Sequence, residues 1–207
     1  MEKKYVALSF DDGPNLGTTQ KTLDILEKYH VPASFFLIGQ NIGKDTAKSV
    51  ERALKLGCEA ENHSFTHSNM PAFTPEQITD EINETSRLIK EITGRDPEFF
   101  RPPYIDYDQK MFDTIPLTFI CGSGCDDWDP NFGVEHRIQK TLANAKHGEI
   151  FLLHDSADNT MTVPAIDVII PELLDRGYTF LTVSALFREC GVTPRRNVIY
   201  SNVFQES

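Results

Sequence analysis

The chain has 207 residues, 40% of them hydrophobic, which is enough apolar material for one well-packed domain and too little for two ordinary ones. Its 31 acidic residues outnumber 20 basic ones, and the net charge of -11 disfavours binding to nucleic-acid phosphates and to anionic membrane surfaces. We therefore predict one domain over residues 1–207 that binds neither nucleic acid nor membrane.

The chain begins MEKKYVALSF and enters an apolar strand almost directly, without the longer apolar core of a secretory signal. It has no run of about 18 apolar residues that would span a membrane. Such a start fits either a cytoplasmic protein or a domain cut from a larger secreted protein, and both alternatives stay open.

Short apolar runs alternate with segments of helical periodicity. The predicted strands are 5–10, 33–39, 58–62, 98–101, 117–121, 149–154 and 178–183, and the predicted helices are 18–30, 45–56, 75–93, 134–146 and 162–176. About seven βα units follow one another, which fits either a barrel or an open doubly wound sheet. Because the chain is shorter than the usual ~250 residues of an eight-unit barrel, we predict an α/β fold, a distorted (β/α)7 barrel similar to a TIM barrel. Residues 192–207 lose this periodicity, and we predict a C-terminal tail that wraps the surface or frays.

Unusual polar residues follow nearly every predicted strand. They are Asp11 and Asp12, His63 and His67, Arg101, Asp126 and Asp127, and His154 and Asp155. In a parallel barrel the carboxyl ends of the strands form one rim, where active sites are built from several loops. Chance would scatter such residues among the helices as well, so we predict one active site on this rim.

Two histidines and one carboxylate on this rim predict a metal site. His63 and His67 are four residues apart, so a helical or turn-like backbone places both imidazoles on one face. Such a site keeps positions for water and substrate, and we predict Asp12 of SFDDGPN as its third ligand. These donors suit zinc, our first expectation, and also cobalt or nickel. The alternatives are surface histidines and an aspartate that only caps its loop.

Hydrolysis at such an ion also requires groups that move protons. Asp11, next to the third ligand, is the predicted general base, and Arg101 is expected to keep its carboxyl group ionised. His154 follows a buried strand and titrates near neutral pH, so it is the predicted general acid. The alternative for His154 is a core histidine hydrogen-bonded to the backbone.

A carboxylate that holds the ring of His154 would raise the pKa of that ring and so support its role as an acid. Asp127 is the leading candidate for this partner. Asp126 and Asp155 are the alternatives, because they lie on the same predicted rim.

Aromatic residues on the rim suggest a binding pocket. In RPPY, two prolines hold the backbone rigid, so that the N–H of Tyr104 can point at a developing oxyanion. Trp128, the only tryptophan, and the tyrosines 104 and 107 are candidates to stack on sugar faces or to wall an acetyl pocket. A lone tryptophan in the core is the alternative.

Four cysteines are too few for a disulfide scaffold in a chain of this length. The gap between Cys121 and Cys125 is also wrong for a zinc knuckle. We expect buried thiols, with a Cys121–Cys125 disulfide as the alternative.

Together, SFDDGP, HSFTH, RPPY, DDW and LLH resemble, in order and approximate spacing, the five motifs of the polysaccharide deacetylases, carbohydrate esterase family 4 or the NodB-homology domain. The resemblance covers roughly residues 5–190. It implies a distorted seven-unit barrel and a metal-dependent hydrolase that removes acetyl groups from a polysaccharide. By this resemblance, Asp12, His63 and His67 hold the metal, Asp11 is the base positioned by Arg101, Tyr104 supplies the oxyanion N–H, His154 is the acid tuned by Asp127, and Trp128 and Leu152 line the acetate pocket.

Two positions depart from the family pattern. Ser9 replaces a threonine in the first motif, and Gly124 stands where the fourth motif usually begins with aspartate, although Asp127 is retained. The resulting loop CGSGC looks similar to that of some clostridial acetylxylan esterases. Ester hydrolysis also releases an alkoxide, which departs without the protonation that the amine of an amide demands. The expected substrate is therefore the O-acetyl group of acetylxylan.

Three alternatives stay open. An N-deacetylase of chitin oligosaccharides or peptidoglycan uses the same residues on another sugar. A catalytically dead carbohydrate-binding domain would show the loss of a ligand or of the base, and none is lost. The same ligands serve ferrous iron, but usually in all-β folds. The substrate class implies a secreted protein, with further domains of a larger enzyme as expected partners.

Overall fold

The computed structural model describes residues 3–205, which form one curled sheet surrounded by helices. The strands are β1 (Lys4–Asp11), β2 (Ser34–Leu37), β3 (Glu59–Asn62), β4 (Phe99–Phe100), β5 (Thr118–Ile120), β6 (Ser123–Gly124), β7 (Glu149–His154), β8 (Tyr178–Leu181) and β9 (Ile199–Tyr200). The helices are α1 (Thr18–Tyr29), α2 (Ala47–Lys55), α3 (Pro75–Thr93), α4 (Gln109–Thr114), α5 (Val134–Asn144), α6 (Thr162–Asp175) and α7 (Val183–Glu189). Short 3₁₀ turns occupy Gly39–Asn41, Met70–Ala72 and Pro103–Ile105.

Strand β1 is the centre of the sheet, because β2, β7 and β8 all pair with it. The strand order is β6-β7-β1-β2-β3-β4-β5-β9, and these pairings are parallel. Parallel strands require crossover connections, and the helices between them supply these. The predicted distorted (β/α)7 barrel is confirmed.

Every predicted strand and helix is present, and four further elements appear. They are α4, α7, β6 and β9, with 6, 7, 2 and 2 residues. Elements this short leave too few residues for a periodic pattern to show. Among the helices of residues 3–205, none combines the length and the apolar character that crossing a bilayer would take.

The C-terminal segment is more tightly integrated than its lack of periodicity indicates. Strand β9 pairs with β5, and Ile150 N of β7 donates to Ser201 O at 3.0 Å. Tyr200 and Val203 are each only 1% exposed. The segment therefore fills the gap between β5 and β7, and the expectation that it would wrap the surface or fray is wrong for these residues.

The two faces of β1 pack into different cores, because successive side chains of a strand point in opposite directions. Val6, Leu8 and Phe10 belong to the main cluster beneath the helices, whereas Ala7 belongs to a second cluster. The same alternation puts Asp11 on the face of Ala7 rather than on that of Phe10. The last residue of β1 thus brings a buried carboxylate to the rim.

The four cysteines are all free thiols. Cys58 and Cys125 are buried, and burial raises the pKa of each thiol to about 11. Cys121 and Cys190 are half-buried, and no disulfide joins Cys121 to Cys125.

Gly39 is required where the loop after β2 meets the loop after β3. A Cβ at this position would lie 2.5 Å from Phe65 Cδ2 and closer still to Thr85 Oγ1. Overpacking makes us expect Gly39→Ala to lower the free energy of unfolding by roughly 1–3 kcal/mol in a urea titration. Gly43→Ala is the matched control, since its nearest neighbour, Thr46 Oγ1, is 3.8 Å away. Equal losses in the two variants would contradict this account.

Candidate metal centre and catalytic pocket

The predicted site residues converge at the carboxyl ends of β1, β3 and β7. A pocket of about 410 Å³ is lined by Asp11, Asp12, His63, His67, Pro102, Tyr104, Ile105, Trp128, Leu152 and His154. Arg101 and Asp127 are 0% and 2% exposed, and each hydrogen-bonds a lining residue. The rim therefore carries one site, built from loops that are distant in sequence.

Asp12, His63 and His67 form a cluster suited to a metal ion. Asp12 Oδ1 lies 3.5 Å from His63 Nε2 and 3.4 Å from His67 Nε2. Two tetrahedral ligands that are each about 2.1 Å from one zinc ion would be about 3.4 Å apart. Asp12 Oδ1 is also buried without a hydrogen-bond partner, which is costly for a carboxylate oxygen unless a cation satisfies it. The donor set fits a divalent ion.

Protonation of this cluster also suits metal binding. Burial opposes charge on Asp12, but the close approach and charge of His63, with the charges of His154 and His67, lower the pKa of Asp12 from 3.8 to about 2. Burial and the neighbouring His63 lower the pKa of His67. Near neutral pH, Asp12 is therefore ionised and His67 is unprotonated, and these are the forms that bind metals.

His63 is oriented by the backbone of a neighbouring strand. Its Nδ1 lies 2.7 Å from the carbonyl oxygen of Arg101, so the ring presents Nε2 to the cluster. The side chain is only 2% exposed. Asp12 is fixed in a similar way, because Asn41 Nδ2 donates to its carbonyl oxygen at 2.9 Å.

The loop that carries His67 has an unusual backbone. Ser64 and His67 both have positive φ angles, 64° and 58°, a region that side chains disfavour. Within the loop, His67 N donates a hydrogen bond to Ser64 Oγ at 3.0 Å, and the hydroxyl groups of Thr66 and Ser68 lie 2.8 Å apart. Further contacts must come from outside the loop.

Glu81 of α3 supplies these contacts. Its Oε2 accepts hydrogen bonds from Phe65 N and Thr66 N, both at 2.8 Å, and its Oε1 accepts one from Thr66 Oγ1 at 2.8 Å. The sequence did not predict this residue, because a glutamate within an amphipathic helix resembles any solvated position of that helix. Only the spatial contact between α3 and the loop identifies it.

A buried ion pair holds Asp11. Arg101 Nη1 lies 2.5 Å from Asp11 Oδ1, and the two side chains are 0% and 2% exposed. A second nitrogen, Nη2, donates to Ser9 Oγ at 2.8 Å, and the guanidinium lies 4.1 Å from the centre of the Phe36 ring. Ser9 thus keeps the hydroxyl of the threonine usual in the first motif. The free oxygen of Asp11, Oδ2, lies 3.7 Å from His63 Nε2, beside the metal cluster.

Asp127 is the carboxylate that contacts His154. Its Oδ1 lies 2.8 Å from His154 Nδ1, and its Oδ2 accepts hydrogen bonds from His154 N and Thr162 Oγ1, both at 2.8 Å. Burial opposes charge on His154, but the hydrogen bond and charge of Asp127, with the charges of Asp11 and Asp12, raise the pKa of His154 from 6.5 to about 9. The ring is therefore an imidazolium at neutral pH.

The two alternative partners of His154 point elsewhere. Asp126 Oδ2 lies 3.1 Å from His136 Nε2 and 2.5 Å from Lys140 Nζ, on the surface of α5. Asp155 is 1% exposed and accepts a hydrogen bond from Thr19 Oγ1, and burial raises the pKa of Asp155 to about 7. Neither carboxylate contacts the ring of His154.

Aromatic side chains form the exposed wall of the pocket. Tyr104 and Trp128 are each 69% exposed, so the only tryptophan is not a core residue. The ring of Tyr104 packs edge-on at 4.7 Å from that of His67, and its backbone has a φ of 60°. Leu152 is 9% exposed within the pocket. Tyr107 packs against Phe112 and does not line the pocket.

The pocket combines three kinds of group that hydrolysis requires. A three-ligand site keeps positions for water and substrate, a carboxylate lies beside it, and an imidazolium completes the set. Asp11 and His154 are also register partners in the paired strands β1 and β7, so their side chains occupy neighbouring positions on the rim. The arrangement suits hydrolysis of an acyl group with transfer of a proton to the leaving atom.

Comparison with known proteins gives consistent matches. The family model described as polysaccharide deacetylase matches residues 1–116. A bifunctional xylanase/deacetylase of Pseudobutyrivibrio xylanivorans is 47% identical over 97% of this chain and 33% of its own length. The chain therefore spans about one third of that relative. A peptidoglycan-N-acetylglucosamine deacetylase of Bacillus cereus is 35% identical over 90% of this chain and 89% of its own length.

Solved structures resemble the fold over nearly its full extent. The Xyl-CE4 domain of a multidomain xylanase from the hindgut metagenome of Trinervitermes trinervoides has a TM-score of 0.95, 44% identity and coverage of 98% of both chains. A family 4 acetyl xylan esterase from Clostridium thermocellum, in complex with a cobalt ion, has a TM-score of 0.94 and 38% identity, with coverage of 98% of this chain and 100% of its own.

Loss of the Glu81 contacts should weaken metal binding. Glu81→Ala leaves two backbone N–H groups of the loop unpaired, and we expect affinity for Co²⁺ to fall roughly tenfold, as when a ligand loses its supporting contacts. Glu81→Gln keeps an acceptor oxygen and should keep most of the affinity. Titration calorimetry of the metal-stripped protein measures both. Glu84→Ala, on the same helix beside Arg87, is the control. An unchanged affinity in Glu81→Ala would refute this role.

The partnership of Asp127 and His154 predicts a pH effect. In the metal-free protein, NMR should find His154 titrating with a pKa of about 9, and Asp127→Asn should lower that pKa to its usual 6.5 or below. Because the folded pKa is raised, the stabilisation is complete below pH 6.5 and disappears as the pH rises through 9. Asp126→Asn should leave the pKa of His154 unchanged. A pKa of His154 insensitive to Asp127→Asn would exclude the partnership.

Proposed function

We propose that this chain, which belongs to the polysaccharide deacetylase family, is a metal-dependent carbohydrate esterase that hydrolyses O-acetyl groups of acetylxylan. The observation that carries the proposal is the convergence of Asp12, His63 and His67 around an unpaired, buried carboxylate oxygen, with Asp11 beside them. A domain that only binds sugar does not require these four side chains together, so their convergence favours an enzyme.

Asp12, His63 and His67 would hold one divalent ion, with zinc as our first choice and cobalt or nickel as alternatives. The cobalt ion in the Clostridium thermocellum esterase supports a divalent metal in this family. When bound, such an ion polarises a carbonyl group and lowers the pKa of water.

Asp11 is the proposed general base. One of its oxygens is bound by Arg101, so the other, which lies 3.7 Å from His63 Nε2, is the oxygen available to take a proton from the attacking water. The buried ion pair with Arg101 fixes the position of the Asp11 carboxyl group. Arg101 is accordingly a positioning residue for the base.

His154 is the proposed general acid. Its Nδ1 is bound to Asp127, which leaves Nε2 to give a proton to the departing sugar oxygen. The backbone N–H of Tyr104 is the proposed donor to the developing oxyanion. Trp128 and Leu152 would enclose the acetyl methyl group, because they supply the apolar wall of the pocket.

Xylan as the substrate is supported from two directions. The xylanase/deacetylase, the Xyl-CE4 domain of the multidomain xylanase and the acetyl xylan esterase are 47%, 44% and 38% identical to this chain, against 35% for the Bacillus cereus peptidoglycan deacetylase. Gly124, the departure in motif four, lies next to the acetyl pocket, since a Cβ there would be 3.8 Å from Leu152 Cδ2. Amide cleavage in chitin oligosaccharides or peptidoglycan is the alternative.

The setting of the whole protein is also part of the proposal. Because the chain matches one third of the xylanase/deacetylase, we propose that residues 1–207 act as a deacetylase domain alongside other xylan-degrading domains. Polymeric xylan lies outside cells, so an extracellular location accompanies this role.

Relative rates on two substrates test the choice of bond. We expect faster release of acetate from acetylated xylan than from N-acetylglucosamine oligomers at equal acetyl concentration, because an alkoxide leaves more easily than an amine. An enzymatic acetate assay measures both rates. Faster release from the amide would overturn the xylan assignment and favour the N-deacetylase.

Asp11→Asn distinguishes an enzyme from a sugar-binding domain. The substitution should keep bound metal, since Asp11 is not one of the three ligands, while acetate release falls roughly 10²–10⁴-fold with the loss of general-base catalysis. Metal content by mass spectrometry and the acetate assay are the measurements. Asp126→Asn, in the loop before α5, is the control for the loss of a carboxylate, because Asp126 pairs with Lys140 of α5. Wild-type turnover in Asp11→Asn would exclude Asp11 as the base.

A further inference from the structure

A second buried arginine lies behind His154, in the way that Arg101 lies behind Asp11. Arg101 and Arg137 are 0% and 1% exposed, whereas the other arginines within residues 3–205 are half-buried or exposed. Arg137 belongs to α5, outside the catalytic pocket. A buried cation is costly unless surrounding groups stabilise it, and two of the groups around Arg137 also contact Asp127.

Arg137 donates hydrogen bonds to three neutral acceptors. Its Nη1 donates to Asn159 Oδ1 at 2.5 Å and to Thr162 Oγ1 at 2.8 Å. Its Nε donates to the carbonyl oxygen of Phe132 at 3.3 Å. A guanidinium has N–H donors and no acceptor, so each of these oxygens must turn a lone pair towards Arg137.

These contacts fix the direction of the hydrogen bonds that reach Asp127. Oδ1 of Asn159 faces Arg137, so Nδ2 of that amide points the other way and donates to Asp127 Oδ2 at 3.2 Å. The same Nδ2 donates to His154 O at 3.1 Å. Thr162 Oγ1 lies 3.1 Å from Asn159 Oδ1 and 2.8 Å from Asp127 Oδ2, and the charged acceptor makes the stronger bond. The hydroxyl proton of Thr162 therefore goes to Asp127.

The contacts of the Asp127 carboxylate are thus made with donors. Oδ2 accepts from Thr162, Asn159 and the backbone N of His154, and Oδ1 faces His154 Nδ1. Hydrogen bonds donated to a carboxylate favour its charged form. Although burial opposes charge on Asp127, the hydrogen bonds of His154 and Thr162 and the charge of His154 lower the pKa of Asp127. The carboxylate is held on the ring of His154, and Nε2 of that ring is left for the leaving group.

The charge of Arg137 remains after the proton has left His154. Once Nε2 has given its proton to the sugar oxygen, the ring is neutral and Asp127 is an anion that is only 2% exposed. An uncompensated charge of this kind is strongly unfavourable. Arg137, which is joined to Asp127 through Thr162 and Asn159, keeps a positive charge in the same buried region.

We propose that Arg137, Thr162 and Asn159 are positioning residues for proton donation by His154, with Arg137 setting the direction of the hydrogen bonds that hold Asp127. The inference rests on the proposed function, since it takes His154 as the donor of a proton to the departing sugar oxygen. The three residues lie outside the set that lines the catalytic pocket, so they act on proton transfer and not on substrate binding.

Two substrates that differ in their leaving group test this role. Acetylated xylan releases a sugar alkoxide, which needs a proton, whereas para-nitrophenyl acetate releases a stabilised phenolate, which leaves without one. The variants are Thr162→Val, Thr162→Ser and Arg137→Lys, and kcat and KM are measured on both substrates. Thr22→Val is the matched control, because Thr22 is 1% exposed in α1 and its hydroxyl group has no hydrogen-bond partner within residues 3–205.

We expect Thr162→Val to lower kcat on acetylated xylan roughly tenfold with KM unchanged, as a part of the contribution of a general acid. Its kcat on para-nitrophenyl acetate should stay within about twofold of the wild type. Arg137→Lys keeps a charge but loses the planar fork, so it should show the same contrast between substrates. Thr162→Ser keeps the hydroxyl group and should match the wild type on both substrates, as should Thr22→Val.

Equal fractional losses of Thr162→Val on the two substrates would show a merely structural role and overturn the proposal. No loss of kcat on acetylated xylan in Thr162→Val, or an equal loss in Thr162→Ser, would also overturn it. If Arg137→Lys does not fold, the two Thr162 variants decide.

Failure of the proposed acid is distinguishable from failure of its positioning residues. Unchanged kcat of His154→Ala on acetylated xylan would refute the acid itself, whereas a loss in His154→Ala without one in Thr162→Val would overturn only the role of Arg137 and its partners. If the wild type cleaves para-nitrophenyl acetate but not acetylated xylan, the xylan assignment fails. N-acetylglucosamine oligomers then replace xylan, since an amine also needs a proton, and the same contrast in Thr162→Val would support the proposal.

Discussion

The site depends on one buried guanidinium. The Arg101 side chain binds Asp11 at 2.5 Å, and the Arg101 carbonyl oxygen is hydrogen-bonded to His63 Nδ1 at 2.7 Å. One residue therefore orients both the proposed base and a proposed metal ligand. A fully buried cation is unfavourable unless it is paired, and here Asp11, Ser9 Oγ and the face of Phe36 surround it. The carboxylate and the guanidinium stabilise each other, and the remaining oxygen of Asp11 is left for chemistry.

Much of the fold and of the candidate site was predictable from the sequence, because the patterns that indicate them are local. Apolar runs with polar ends give the strands and the rim, and the spacing of His63 and His67 gives the chelate. The partner of His154 was not decided by sequence order, because three candidate carboxylates, Asp126, Asp127 and Asp155, lie on the rim. Asp126 has a φ of 58°, and this left-handed turn directs it outward while Asp127 turns inward. Glu81 and the strand β9 act through contacts between distant segments, which leave no periodic pattern.

Backbone strain is concentrated where the proposed chemistry occurs. The rim residues with positive φ include Asp12, Ser64, His67, Tyr104 and Asp126. Such conformations persist only where surrounding contacts enforce them, and they often mark functional sites. Here the enforcing contacts come from the scaffold: α3 holds the His67 loop through Glu81, and Asn41 holds the carbonyl of Asp12. The unusual backbone of these loops is therefore supported by contacts with the barrel and its helices.

In the proposed mechanism, Asp12, His63 and His67 bind one ion that hydrolysis requires. The most direct test of this requirement is acetate release from acetylated xylan as Zn²⁺ is added stepwise to metal-stripped protein. We expect the rate to rise in proportion to added metal and to level off at one ion per chain. Full activity in the metal-stripped protein, or a rate that ignores added metal while acetylated xylan is still cleaved, would contradict it.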